Sequence, residues 1–303
     1  MNQDLPAFDN EEDKYITFSS SLGSEGSKYT THHVNPAVRP SLLENRYLSV
    51  MNIVSVMVWL VIPFLVLLMQ WATVHDSSIL ILRYVGLLGI LFFYGAYFGI
   101  YFLLYQLYMK GHFISNAIEL TPRQLPEVYQ TVQSYCQQLG MAVPKVFVIE
   151  SGGLLNAFAT RLLGKSYVVL YSDILEMAYT EGKDVVDFVI AHELAHIKLG
   201  HLNFWKRLWL LPALCMPLVG QGYSRSREIS CDRIGQICSP EGAEKGLLVL
   251  AGGKTLYKHF STDVMLQEQR PQQGFIERLI ELFSMYPSMM NRIYYCFCKY
   301  EGF

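Results

Sequence analysis

Two long stretches of the chain are apolar and contain no charged side chain. About 29 residues between Arg46 and Asp76 include no Asp, Glu, Lys or Arg, and the same is true of about 26 residues between Arg83 and Lys110. A helix needs about 20 apolar residues to cross a bilayer, so each stretch is long enough. We therefore predict a hairpin of two transmembrane helices over residues 46–110, with Trp and Tyr side chains at the membrane interfaces.

The segment before this hairpin has a different composition. Residues 1–45 are rich in Ser, Thr, Asn and acidic residues and show no apolar period. Such a segment buries too little apolar surface to offset the entropy lost on ordering, so we expect a polar, disordered tail. Residues 111–303 follow the hairpin and are long enough for one folded domain.

The orientation of the hairpin is predicted from the basic residues near its ends. Four of them flank the outer ends of the two spans: Arg39, Arg46, Lys110 and Arg123. The connecting segment offers Arg83, so the positive-inside bias favours the cytoplasm for both the tail and the C-terminal domain. The six cysteines show no spacing typical of a disulfide framework, as expected for reduced thiols.

The segment FVIAHELAHIKLGHLN, residues 188–203, carries the first candidate chemistry. The apolar period over residues 184–199 predicts a largely buried helix. His192 and His196 are four residues apart, so their rings project from one face and can bind one zinc ion. Glu193 is rotated by about 100° around the axis, which suits a general base that takes a proton from zinc-bound water. The alternative is an ordinary helix with core or surface histidines, but burying an unpaired Glu would be costly.

A catalytic zinc site needs a third protein ligand. The segment YSRSREISCDRIG, residues 223–235, places Glu228 and Asp232 four residues apart on a predicted helix. We assign Glu228 as the third ligand and Asp232 as the acceptor that holds a ligand imidazole through its other ring nitrogen. Taken alone, this segment would favour an exposed helix face with a carboxylate pair and neighbouring arginines, and only the pairing with HELAH favours the metal site.

Four blocks in order resemble the membrane-associated gluzincin metallopeptidases, the family of HtpX and the CAAX prenyl endopeptidases. These are LLNAFATRLLGKSYVVLYSDIL (154–175), HELAH (192–196), SRSREISCD (224–232) and YPSMMNRI (286–293). The resemblance implies a mainly α fold with a small β-sheet, in which a gluzincin-type zinc metallopeptidase domain follows the two-helix transmembrane hairpin. It also implies one Zn²⁺ per chain, held by His192, His196 and Glu228, with Glu193 as base and Asp232 behind a ligand.

The resemblance further implies that Asn156 helps hold the active-site edge, where an extended substrate could add as a strand. The chain departs from the family pattern at two positions: Cys231 replaces a common Ala, and Tyr286 replaces a common His. The second departure leaves open which group stabilises the oxyanion. Tyr286, Tyr223 and His201 are candidates, and each has the alternative of a packed or surface residue.

Residues 204–223, FWKRLWLLPALCMPLVGQGY, lie between the second zinc histidine and Glu228. Their uninterrupted apolar part is about 13 residues long and contains two prolines, too short to cross a bilayer as a straight helix. We predict an interfacial or re-entrant segment with its Trp, Lys and Arg residues at headgroup level. A plain buried loop is an equal alternative.

Composition and motifs argue against some other classes of protein. The net charge of −2 and the lack of a basic stripe argue against nucleic-acid binding. The segment LLVLAGGKTL, residues 247–256, is similar to a phosphate-binding loop, but Leu248 stands where that loop requires Gly, so we expect no nucleotide site.

The sequence thus predicts an integral-membrane zinc endopeptidase whose zinc-bound water, assisted by a glutamate, hydrolyses peptide bonds. Its expected partners are a polypeptide substrate, including membrane proteins, and the lipid bilayer, and its expected role is quality control of misfolded or membrane proteins, or processing. A membrane scaffold or receptor that binds zinc without turnover is the alternative, disfavoured because Glu193 is present. A transporter would need more spans and more polar residues at bilayer depth.

The predicted orientation can be measured by labelling engineered cysteines in intact cells. An impermeant thiol reagent is expected to label a cysteine at Ser77 and to miss one at Ser27, because the tail is predicted to be cytoplasmic. Both should be labelled after permeabilisation. Labelling at Ser27 and none at Ser77 in intact cells would invert the topology.

Overall fold

Two long helices begin the part of the chain that the computed structural model describes, which comprises residues 38–73, 77–150, 156–268 and 275–297. Helix α1 spans Leu42–Thr73 and helix α2 spans Ser77–Asn116. By length and composition both could cross a membrane, over Leu42–Ala72 and Ile81–Asn116, and their apolar side chains are mostly exposed.

Helix α1 begins four residues before the predicted start of the hairpin. The backbone N–H of Glu44 donates to Ser41 Oγ at 3.2 Å, so Ser41 caps the helix. Residues 42–45, which we assigned to the tail from their polarity, are therefore helical. Residues 38–41 of the predicted tail are described and lie outside any helix or strand, and residues 1–37 lie outside the described residues.

A four-stranded mixed sheet follows α2, in the order β1-β2-β4-β3. Its strands are Ile118–Glu119, Lys145–Ile149, Ala157–Leu162 and Lys165–Tyr171. Strands β2 and β4 are parallel and the other two pairs are antiparallel. Leu163 and Gly164 turn the β3–β4 hairpin with positive φ at both positions, the geometry of a two-residue hairpin turn. Strand β3 is last in the strand order and is therefore an edge strand.

Helices make up most of the remaining domain, which confirms the predicted fold class of a mainly α protein with a small sheet. Ten of them are described: α3 Pro126–Gln138, α4 Ser172–Thr180, α5 Asp184–Lys198, α6 Phe204–Trp209, α7 Leu211–Leu214, α8 Val219–Cys238, α9 Pro240–Leu256, α10 Thr262–Glu268, α11 Phe275–Phe283 and α12 Met289–Phe297. A 3-10 turn, Tyr257–His259, follows α9.

Helix α5 is the centre of the domain. It is buried from Val185 to Ala195 except at Asp187, and it packs against α8 and α9 and against the sheet. Phe188 fills the space between the neighbouring helices, because a Cβ on Gly246 would lie 2.4 Å and one on Gly235 would lie 2.8 Å from its ring. Glycine at these two positions thus permits the close approach that fixes the orientation of α5.

The apolar segment at 204–223 forms two short helices and the start of α8, and so is not a plain loop. Leu210 and Ala213 pack with Met51 of α1 in one buried cluster. The indole N–H of Trp59 donates to the Trp209 carbonyl at 3.0 Å. The segment therefore lies against the first apolar helix, and its position at the membrane interface stays a prediction.

Candidate metal centre

Helices α5 and α8 bring two histidines and a glutamate together. The Nε2 atoms of His192 and His196 each lie 3.5 Å from an oxygen of Glu228. One donor atom from each of the three side chains lies within 4.8 Å of the other two. Two imidazole nitrogens and a carboxylate oxygen are donors that zinc accepts, and this number of protein ligands leaves a coordination position open. The residues therefore fit the metal implied by the sequence.

The outward nitrogen of His192 has its own partner. Its Nδ1 lies 2.9 Å from Oδ1 of Asp232, one turn beyond Glu228 on α8. Arg292 of α12 holds the same carboxylate in a fork, donating from Nε to Oδ2 at 2.7 Å and from Nη2 to Oδ1 at 2.6 Å. Burial alone would raise the pKa of Asp232, but the Arg292 guanidinium and His192 hold that pKa well below its usual range. Asp232 is thus an ionised acceptor that fixes the His192 ring.

The outward nitrogen of His196 has a different partner. Its Nδ1 lies 2.9 Å from Nδ1 of His201, and Nε2 of His201 lies 2.9 Å from Oε1 of Glu44 on α1. The side chains of His201 and Glu44 are fully buried. Because both ring nitrogens of His201 are engaged, this histidine keeps no ring N–H for a substrate oxygen, in contrast to the oxyanion role considered from the sequence.

The three candidate ligands shift one another's pKa values in different directions. Burial lowers the pKa of His192, but Asp232 and Glu228 raise it to about 10. Burial raises the pKa of Glu228, but its hydrogen bond with His192 and the charges of His192 and His196 lower it to about 2. Burial and the charge of His192 lower the pKa of His196 well below its usual value. Glu228 is thus held as a carboxylate and His196 as a neutral imidazole, the forms in which these side chains bind a metal.

The pKa of Glu193 shifts upward, in the opposite direction to that of Glu228. Glu193 is 8% exposed, and burial raises the pKa of its carboxyl, partly offset by the charge of His192 and by a hydrogen bond with the Ala159 backbone. A raised pKa makes the carboxylate a stronger base near neutral pH. Since Ala159 belongs to the edge strand β3, Glu193 faces the strand at which an extended chain could add.

Asn156 lies immediately before strand β3 and is exposed. Its Oδ1 accepts from the Ala157 N–H at 2.9 Å, and its carbonyl accepts from the Tyr171 N–H at 3.1 Å. These contacts fix the start of the edge strand, as the proposed substrate edge requires.

The two candidate tyrosines differ in burial. Tyr223 is 3% exposed and packs with Met51 and Leu210, and burial raises the pKa of its hydroxyl to about 12. Tyr286 is 67% exposed, and its backbone contacts Ser284. The structure thus places Tyr223 in the core and Tyr286 at the surface.

Arg292 and Glu44 are the site residues that sequence reasoning missed. Arg292 lies in the YPSMMNRI block, which the sequence analysis identified without assigning a role to its arginine. Glu44 is three residues after Ser41, a spacing that indicates a helix-capping pair. Neither pattern indicates a contact with residues far along the chain.

A second cluster of side chains that could bind a metal shares His196 with the first cluster. Donor atoms of His196, His201 and Cys231 also lie within 4.8 Å of one another, and Cys231 Sγ lies 3.6 Å from His201 Nδ1. Burial raises the pKa of the Cys231 thiol well above its usual value, which disfavours the thiolate form.

The chain is similar to known proteins of one peptidase family. The family model for peptidase family M48 matches residues 122–215, which include α5. The Protease HtpX homolog of Campylobacter curvus is 25% identical over 249 residues, covering 66% of this chain and 82% of that protein. Protease HtpX of Histophilus somni is 33% identical over 120 residues, 39% of this chain and 41% of that protein. No solved structure matches the chain significantly.

The matched peptidase domain, the donor cluster and the two apolar helices support the class of a membrane metallopeptidase. Together, the domain match and the two relatives support membership of the chain in peptidase family M48, alongside the HtpX proteases. The resemblance drawn from the four sequence blocks is thereby confirmed.

The ion pair behind His192 generates a stability prediction. Arg292→Met should lower the free energy of unfolding by about 3–5 kcal/mol, because it leaves Asp232 as a buried charge without its cation. Urea unfolding of the purified protein in detergent measures this. Arg161→Met, at an exposed arginine on β3, is the control and should change stability by about 0.5 kcal/mol or less. Equal stability of the two variants would show that the Arg292 pair is not needed.

Proposed function

We propose that this chain is a membrane-anchored zinc endopeptidase. The observation that carries the proposal is the convergence of His192, His196 and Glu228 beside a buried glutamate that faces an edge strand. The metallopeptidase family supports the same conclusion. His192, His196 and Glu228 would hold the zinc ion, one per chain.

The residues around the metal divide the chemistry between them. When bound, zinc supplies a Lewis acid that activates water and polarises a carbonyl. Glu193 accepts the proton of the attacking water on its carboxylate and delivers it to the leaving amine, and its raised pKa suits both steps. Asp232 and Arg292 keep His192 oriented throughout.

The substrate is an unfolded or extended polypeptide that adds to the free edge of β3. Strand addition binds through backbone hydrogen bonds and so accepts many sequences. Asn156 holds the first residue of that edge in place. Of the three oxyanion candidates, Tyr286 has an exposed side chain, whereas Tyr223 is packed in the core and both nitrogens of His201 are engaged.

The membrane helices determine which substrates the site meets. With α1 and α2 in the bilayer and the catalytic domain on the cytoplasmic side, membrane proteins and misfolded chains near the membrane are within reach. Quality control or processing of such proteins is the biological role that this placement supports.

The role of Glu193 gives the test of the proposed function. Glu193→Gln should retain one zinc equivalent and lose casein cleavage by at least about 100-fold, because the ligands remain while the base is lost. Metal content and the cleavage rate of the purified full chain are the measurements. Glu176→Gln, at an exposed glutamate on α4, is the matched control and should cleave at the wild-type rate.

Two results would contradict the proposal. Cleavage by Glu193→Gln at the wild-type rate would remove the assigned base. Zinc binding by the wild-type protein without cleavage of any unfolded protein would favour the alternative function of a zinc-binding scaffold or receptor.

A further inference from the structure

The first turn of α1 contains a helix-capping pair, Ser41 and Glu44, that forms one of its two usual hydrogen bonds. In the usual arrangement the hydroxyl of the capping Ser accepts from the N–H three residues on, and the Glu at that position accepts from the Ser N–H. Here Ser41 Oγ accepts from the Glu44 N–H, but the Ser41 N–H donates to Ser230 Oγ of α8 at 3.0 Å. Ser230 therefore takes over the acceptor role, and the Glu44 carboxylate does not accept from the Ser41 N–H.

The freed carboxylate points into the domain. Its Oε1 lies 2.9 Å from His201 Nε2, and both side chains are fully buried. A buried carboxylate is costly unless a partner satisfies it. An apolar helix that only anchored the domain would not need a buried acid at this position, so the contact with His201 gives Glu44 a role.

The hydrogen positions in this chain of contacts follow from the metal site. His196 turns Nε2 toward Glu228, so a metal held there leaves the hydrogen on Nδ1. That N–H can donate only to an unprotonated Nδ1 of His201, which lies 2.9 Å away. His201 must then carry its hydrogen on Nε2, where it donates to Glu44. One arrangement of protons thus satisfies the contacts of His201 with both His196 and Glu44.

We propose that His201 and Glu44 are positioning residues for His196, so that the first turn of the membrane helix α1 forms part of the metal site. The inference rests on the proposed function, and it adds a residue of helix α1 to the groups that orient the metal ligands. His201 fixes the ring plane and tautomer of His196, and Glu44 fixes the tautomer of His201. Asp232 and Arg292 support His192 in the same way, from α8 and α12.

The geometry favours a hydrogen bond between the two histidines over a second metal ion. Two nitrogens on one tetrahedral zinc, each at about 2.0–2.1 Å, lie about 3.3 Å apart. The Nδ1 atoms of His196 and His201 are 2.9 Å apart, which is the length of a hydrogen bond.

The test measures zinc affinity and cleavage in the purified full-length protein. His201→Phe keeps a ring but removes the acceptor, so its zinc dissociation constant should rise by about 10–100-fold. His201→Gln retains one acceptor and one donor and should recover part of the loss. Glu44→Gln is close in shape to Glu and should weaken zinc binding by about 10-fold. Competition with a chromogenic chelator gives each dissociation constant.

A double variant distinguishes positioning from general destabilisation. Residues that act through one chain of contacts are not additive, so Glu44→Gln combined with His201→Phe should bind zinc no more weakly than His201→Phe alone. His259→Phe, at an exposed histidine, is the control and should leave the dissociation constant unchanged.

Each contradicting outcome has a separate meaning. Wild-type affinity and cleavage in Glu44→Gln, with an active wild-type protein, would overturn the positioning role and leave the proposed function standing, even if His201→Phe fails to fold. Two zinc equivalents in the wild type, one of them lost in His201→Phe, would overturn it in favour of a second metal site. A wild-type protein without zinc and without cleavage would overturn both proposals.

Discussion

The structure depends on the burial of ionisable side chains in the middle of an apolar helical domain. His192, Glu193 and Asp232 are all less than a tenth exposed. Charges in such an interior are stable only when each has a partner with good geometry. This requirement decides which helices must surround α5, because the partners come from elements far apart in the chain.

Each ligand histidine turns one nitrogen inward and one outward. The inward Nε2 atoms meet Glu228, and the outward Nδ1 atoms meet Asp232 and His201. The two outward contacts continue to Arg292 of α12 and Glu44 of α1, so the polar network ties both ends of the described chain to the centre. Packing and chemistry are therefore not separate, since the contacts that hold these helices also orient the candidate ligands.

Local spacing predicted each pair of side chains in the inner part of the site, and the pairing of the two segments predicted that they share a metal. His192 and His196, and likewise Glu228 and Asp232, are four residues apart on helices, and that spacing alone places each pair on one face. The apolar runs predicted the two long helices for a similar reason, because composition over a helix length needs no knowledge of the rest of the fold.

The outer part of the site could not be predicted in this way. Glu44 is 157 residues from His201, and Arg292 is 60 residues from Asp232, so both contacts exist only after the chain has folded. The role of His201 was missed for the same reason, because an isolated histidine in a sequence does not show what its two nitrogens contact. The sequence left 204–223 open between an interfacial or re-entrant segment and a buried loop, because its short apolar run with two prolines argued only against a straight spanning helix.

The central claim is that His192, His196 and Glu228 form the metal site. A zinc K-edge X-ray absorption spectrum of the purified full chain with one bound zinc tests this claim most directly. The account predicts a shell of nitrogen and oxygen at about 2.0–2.1 Å with the outer scattering of two imidazoles. A sulfur contribution at about 2.3 Å would assign the metal to Cys231 and its neighbours, and would contradict the account.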